Sequence, residues 1–173
     1  MLTSASRWEP QPLSGKQVAG WVMAVLSAGA GAAHFAVLGA HWDEWWGYGL
    51  FFALAGWLQV LWALLVVRSQ ANVLVYAGAA GNAFILAVWA VTRTLGVPLG
   101  PEFGEVEAAS TLDVIASAVE SGVIVVGLFA LSRWSVWSRR LRGVLAALIV
   151  AVVLLATGTL ITAGIVSAAA GDA

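Results

Sequence analysis

Five long apolar runs, separated by polar joints, dominate the chain. They cover about 17–40, 48–67, 73–94, 112–131 and 141–168. Each reaches the ~20 residues that an α-helix needs to cross ~30 Å of hydrocarbon. No period-2 alternation supports a β-barrel. The pattern therefore predicts an all-α, polytopic transmembrane helical bundle of about five spans. It forms one domain over 17–168, with a cytoplasmic segment at 1–16 and a tail at 169–173. The joint at 95–111, about 17 residues long, exceeds the usual helix–helix connection of 2–8. It is rich in Gly, Pro and Glu. A signal peptide is the alternative for the first run, since Arg7 and Lys16 precede it and Ala28-Gly29-Ala30 resembles a cleavage site. The run continues through Phe35, Val37 and Leu38, which suits a spanning helix better.

Basic residues set the orientation of such a bundle. With five spans, Arg7, Lys16, Arg68, Arg133, Arg139, Arg140 and Arg142 share one side. His41, Asp43, Glu44, Glu102, Glu105, Glu107 and Asp172 share the other, where Arg93 is the only basic residue. The N-terminus is expected inside and the C-terminus outside, in a plasma (inner) membrane. Trp42, Trp45, Trp46 and Tyr48 then make an outer aromatic belt, and Trp134 and Trp137 an inner one.

Ionisable residues inside apolar runs change the picture from a span count to a candidate site. His34 and His41 lie seven apart in the first run, and Asp113 and Glu120 lie seven apart in the fourth. Seven residues is close to two turns, so each pair shares a helix face. Such groups cost roughly 2.5–3.5 kcal/mol each on insertion scales and usually face a protein interior or a wet cavity. In antiparallel helices the depths match, which predicts two rungs, His41 with Asp113 and His34 with Glu120. Glu44, three residues after His41, is placed to join the outer rung. Ser117 and Ser121 lie on or near the same face. Asn82, Trp89 and Arg93 form a third stripe, with Arg93 at the outer mouth and Asn82 near mid-membrane. Gln59 is the matching polar group of the second run. Helices 1 to 4 are expected around the site and helix 5 at its edge. Small residues at Gly20, Ala24, Ala28 and Ala32, with Ser27 and Gly31 beside them, at Ala77 and Gly81, at Gly78 and Asn82, and at Ala118 and Gly122 suit close helix packing in lipid.

Each feature also has a purely structural reading. A His facing a carboxylate is a satisfied buried pair, Asn82 and Gln59 are interhelical hydrogen-bond partners, and Arg93 is an interfacial anchor. The functional reading is a divalent metal held by His34, His41, Glu44, Asp113 and Glu120, with Arg93, Asn82, Glu107 and Gln59 around it. Nitrogen and oxygen donors suit Zn, Cu, Fe or Mn, and His-x-x-Glu is a helical ligand spacing. Haem is disfavoured. Axial ligands approach from opposite faces of the ring, whereas these histidines share one helix face about 10 Å apart. It would need a His from each of two protomers, or a single-His site. The alternatives are proton or ion translocation along the rungs, and a non-catalytic accessory subunit. A homo-oligomer or a partner in a membrane complex fits any of these.

Composition removes other classes. Of 173 residues, 61% are hydrophobic and 10% charged, with mean hydropathy +0.93 and net charge −1. No basic surface suggests nucleic acid. The absence of cysteine excludes disulfides, iron–sulfur clusters and a thiol nucleophile. Seven of the eight basic residues are Arg, and Ala, Gly, Val and Trp are abundant, as in proteins of high-GC bacterial genomes. No Ser-x-x-Lys, His-Glu-x-x-His or Gly-x-Ser-x-Gly motif is present.

One set of residues occurs together: His34-Phe35, His41-x-x-Glu44, the 49–59 segment with Phe51-Phe52, Arg93-Thr94-x-Gly96-x-Pro98-x-Gly100-Pro101, then Glu107, Asp113 and Glu120. Over residues 34–120 the chain thereby resembles a group of small, uncharacterised prokaryotic multi-span membrane proteins. The resemblance implies no activity. It ties the polar residues to the Gly/Pro loop, which is expected to end helix 3 before Pro98 and to fold back as a lid over the outer mouth.

Overall fold

The computed structural model describes residues 13–132. The fifth apolar run, the basic joint before it and both chain ends lie outside the described residues. Four α-helices make up nearly all of the rest: α1 (Gly15–Glu44), α2 (Trp46–Arg68), α3 (Asn72–Thr94) and α4 (Thr111–Leu131). Each is long and apolar enough to cross a membrane.

Local chemistry fixes the helix ends. Ser14 caps α1 through a capping box in which its hydroxyl accepts from Gln17 N–H and the Gln17 amide accepts from Ser14 N–H. α1 runs past the expected end at residue 40, because nothing from Ala40 to Glu44 is Gly or Pro. Its 30 residues rise about 45 Å, more than the hydrocarbon core requires. Trp45, at φ −165° and ψ 133°, ends α1 and begins α2, so the chain reverses through a single extended residue. α4 opens with a second capping box, Ser110 with Asp113.

The helices alternate in direction, which puts the α1 C-terminus, the α2 N-terminus, the α3 C-terminus and the α4 N-terminus at one end. α1 packs against α2 and α4, and α3 packs against α4 and only lightly against α2. Backbones approach where small residues allow it. A Cβ on Gly31 would stand 3.0 Å from the Gly56 carbonyl oxygen. The buried stripe on α1 is Gly20, Ala24, Ser27 and Gly31, whereas Ala28 and Ala32 are exposed. The expected strict four-residue stripe fails because each step of four overshoots a whole turn by about 40°.

The apolar core fills the half of the bundle where α1 begins, around Met23, Leu26, Val66, Val75, Val123 and Val126. Trp57, Leu58, Phe84 and Val125 point outward and are exposed. An apolar exterior of this extent suits a bilayer rather than water. The other half of the bundle holds the polar residues.

Candidate functional site

A chain of hydrogen bonds crosses all four helices near their middle. Ser27 of α1 donates to Gln59 Oε1 of α2 at 2.6 Å. Gln59 Nε2 donates to Asn82 Oδ1 of α3 at 3.3 Å and to Glu120 Oε1 of α4 at 3.4 Å. Asn82 Nδ2 donates back to the Gly78 carbonyl at 2.8 Å. His34 Nε2 lies 3.0 Å from Glu120 Oε1. That oxygen already accepts from Gln59, so His34 donates to it as well. Glu120 is 1% exposed and His34 5%. The inner rung expected from matched depth is therefore present, and the amides extend it. A carboxylate at this depth is tolerable only because donors from two other helices reach it.

The expected outer rung does not form. Asp113 instead accepts from Arg93 Nη2 at 2.9 Å and from the Ser110 N–H at 2.8 Å. Arg93 Nη1 donates to Glu107 and, at 2.6 Å, to Thr92 Oγ1. The guanidinium thus joins the end of α3, the loop and the start of α4. Its forked donors reach two carboxylates at once, which a neutral imidazole cannot do. His41 turns the other way. Its Nδ1–H donates to the Val37 carbonyl at 3.0 Å, one turn back on α1. Phe52 packs on its ring with centroids 4.2 Å apart and also lies 5.8 Å from His34. In the neutral ring this leaves Nε2 of His41 as the acceptor. Glu44 and Ser121 are exposed and outside the cavity described below. The expectation that Glu44 joins the rung and that Ser121 shares the site face is thereby corrected.

The loop between α3 and α4 folds back as expected. Val97 N–H donates to the Glu105 carbonyl and Gly104 N–H to the Val97 carbonyl, both at 2.9 Å. Glu107 N–H reaches the Thr92 carbonyl at 3.1 Å. Tyr48 Oη donates to the Leu99 carbonyl at 2.8 Å and pins the loop tip to α2. Gly100, at φ +87°, lies so close that an added Cβ would stand 2.6 Å from Tyr48 Oη.

Beneath the loop is a cavity of about 200 Å³ lined by all four helices. Its ionisable lining is His34 and Glu120 at the inner end, His41 on one wall, and Arg93, Glu107 and Asp113 at the rim, with the hydroxyls of Tyr48, Thr92 and Ser117 beside them. Phe51, Phe52, Trp45, Trp89, Val88 and Ile85 supply apolar wall, and Val97, Pro98 and Leu99 of the loop close over it. Asn82 and Gln59 support Glu120 from behind and do not line the cavity. Sequence reasoning placed Tyr48 and Trp45 in a lipid-interface belt and Ser27 in helix packing. Their actual contacts depend on the one-residue α1–α2 joint and on the loop fold, neither of which leaves a periodic signal. Among the described residues, no three His or carboxylate side chains converge as a ligand set for one metal ion.

No known protein family, curated protein or solved structure matches this chain.

Proposed function

We propose that this protein is a multi-pass protein of the plasma membrane that binds a small, largely apolar molecule in the cavity at its extracytoplasmic end. One observation carries the reading. Four helices meet around a mostly aromatic and aliphatic cavity, and among its polar groups His34 is paired with Glu120 and Arg93 with Glu107 and Asp113. Small-molecule sites have this make-up of mostly apolar wall and sparse, placed polar groups. The orientation follows from charge. Lys16 and Arg68 lie at one end, and Asp43, Glu44, Glu102, Glu105 and Glu107 at the other. The polar chain ends at Ser27, beyond which Met23, Val66, Val123 and Val126 fill the described core. A cavity separated from the other end of the described bundle by this apolar core serves binding better than a proton or ion path.

The test is photolabelling in lipid nanodiscs with 3-trifluoromethyl-3-phenyldiazirine, a small neutral reagent. Label is expected on cavity residues of α3 and α4. Ala116→Leu and Ala116→Phe, which fill the cavity from α4, should remove that label and spare label at lipid-facing Phe84. Equal cavity labelling in wild type and both variants would overturn the reading.

A second reading, a divalent transition metal in the same cavity, is favoured by one fact: His34, His41, Glu107, Asp113 and Glu120 all line it. A metal there would have to draw carboxylates away from Arg93 and His34. Elemental analysis of protein purified without chelator, beside His34→Ala and Glu120→Ala, tests it. Near-stoichiometric metal lost in both variants supports this reading. Metal-free wild type that takes up no added Zn²⁺, Cu²⁺, Mn²⁺ or Fe²⁺ refutes it.

A further inference from the structure

The residues that line this cavity keep hydrogen-bond acceptors unused. Glu120 engages His34 and Gln59 through Oε1 alone. Its Oε2 takes no hydrogen bond among the described residues, yet it is not sealed off as the unpartnered Trp89 Nε1 and Arg93 Nε are. Glu120 lines the cavity beneath the loop, so the free surface of Oε2 lies there. His34 donates to Glu120 through Nε2, and His41 donates to Val37 through Nδ1. In neutral rings that leaves Nδ1 of His34 and Nε2 of His41 as acceptors, and both residues line the same cavity. At the rim, Arg93 holds Glu107 through Oε2 and Asp113 through Oδ2. The second oxygen of each carboxylate is unbonded among the described residues. A ligand that complements this lining donates hydrogen bonds.

Charge gives the donor its sign. Glu107, Asp113 and Glu120 set three carboxylates around the cavity against the one guanidinium of Arg93. Even with His34 protonated beside Glu120, the acids outnumber the cations. A cation is therefore attracted into this low-dielectric space and an anion repelled. The rim carboxylates Glu107 and Asp113 are 29% and 25% exposed, so a cation arriving from water meets them first.

The wall and the size give the rest of the molecule. A metal ion wants several donors converging on one point, which the described His and carboxylate side chains do not provide. An ammonium needs one carboxylate oxygen and an aromatic face. The Phe52 ring stands 5.8 Å from the His34 ring, beside the inner end, and Phe51 and Trp45 continue the aromatic wall. The cavity, about 200 Å³, is smaller than the ~300–1,000 Å³ of drug-sized sites. It suits a body of a few carbons.

We infer that the cavity binds a small alkylammonium ion. Its N–H groups donate to Glu120 Oε2 at the inner end, Phe52 flanks the charge, and its short apolar body lies along the aromatic wall. The inference rests on the small-molecule reading above and gives that ligand its class.

The experiment uses the full chain in nanodiscs of zwitterionic phosphatidylcholine, with empty nanodiscs as the blank for partition into lipid. Isothermal titration calorimetry at neutral pH compares three compounds of equal chain length: pentylammonium, 1-pentanol and pentanoate. Pentylammonium should bind saturably, one per chain. Pentanol should bind at least about tenfold more weakly, and pentanoate more weakly again. Inorganic ammonium, which lacks the body, should also bind at least about tenfold more weakly. Glu120→Gln tests the anchor. His34 and Gln59 both donate to the Oε1 position, so the new amide keeps its carbonyl oxygen there and turns its NH₂ to the cavity, against the ammonium. It should weaken pentylammonium about tenfold or more and spare pentanol, whose binding shows the cavity intact. If pentanol binding is lost as well, Phe52→Leu takes its place. That change should lower pentylammonium affinity relative to pentanol by about two- to fivefold, and an equal loss of both would overturn the inference.

Equal affinity for pentanol and pentylammonium in the wild type would refute the cationic class while leaving a cavity that binds apolar molecules. Tightest binding of pentanoate would refute it as well. Inorganic ammonium bound as tightly as pentylammonium would overturn the apolar body. Pentylammonium held equally by wild type and Glu120→Gln would overturn the anchor. No binding of any compound would overturn the whole inference, and the diazirine labelling would then decide the cavity reading separately.

Discussion

Replacing Glu120 with leucine removes an acceptor that two buried donors share. His34 Nε2, 3.0 Å away, loses its only partner among the described residues. Gln59 Nε2, 3.4 Å away, keeps Asn82 Oδ1 at 3.3 Å. One donor is therefore fully orphaned and one is weakened. An unsatisfied buried donor costs about 1–3 kcal/mol. Interhelical hydrogen bonds in bilayers average about 0.6 kcal/mol, with a maximum near 1.7, because helices in the unfolded membrane state find other partners. Glu120→Leu should then destabilise the bundle by about 1–2 kcal/mol. His34→Phe leaves Oε1 with Gln59 alone and should cost about 1 kcal/mol by the same reasoning. The double variant orphans neither side of the pair, so it should cost less than the sum by about 0.6–1.7 kcal/mol. Unfolding free energies measured by steric trapping in bilayers give all three values. Additivity within about 0.3 kcal/mol would refute a direct His34–Glu120 interaction.

Gly100→Ala forces a left-handed conformation on a residue with a side chain and drives its Cβ toward Tyr48 Oη. It should cost about 1–3 kcal/mol locally, speed hydrogen exchange at the Val97 and Gly104 amides, and leave exchange in the middle of α4 unchanged; protected loop amides would contradict the lid geometry. Reporter fusions should place Ser69 in the cytoplasm and a site after Gly104 outside, and a cytoplasmic signal after Gly104 would reverse the orientation.

The pairing of His34 with Glu120 was legible in the sequence because helical geometry is nearly rigid. Seven-residue spacing fixes a face, and antiparallel spans fix relative depth, so two residues at equal depth on adjacent helices meet. The position of Arg93 among carboxylates was legible for a similar reason, since one cation stood amid an excess of acids. The fate of Asp113 was not. His41 and Arg93 both lay at its depth, and only the rotation of α3 against α4 gave it to the guanidinium. The contacts of Ser27 and Tyr48 were not legible because their partners are a distant side chain and a loop carbonyl.

By itself the sequence determined, for the described residues, a helical architecture with four helices long and apolar enough to cross a membrane. Burial of apolar runs of this length leaves the backbone no other way to satisfy its polar groups in hydrocarbon. It also set the ends of α1 and α4 through their capping residues, and the loop through its glycines and prolines. Tertiary structure alone decided which helices are neighbours, which seam stays loose, and that a cavity remains beneath the loop. Those depend on how side chains of particular size interlock. Trp62 packs over Gly78, Phe52 against His41, and Val97, Pro98 and Leu99 over the rim. Packing of that kind is set by shape in three dimensions, and it leaves no period along the chain.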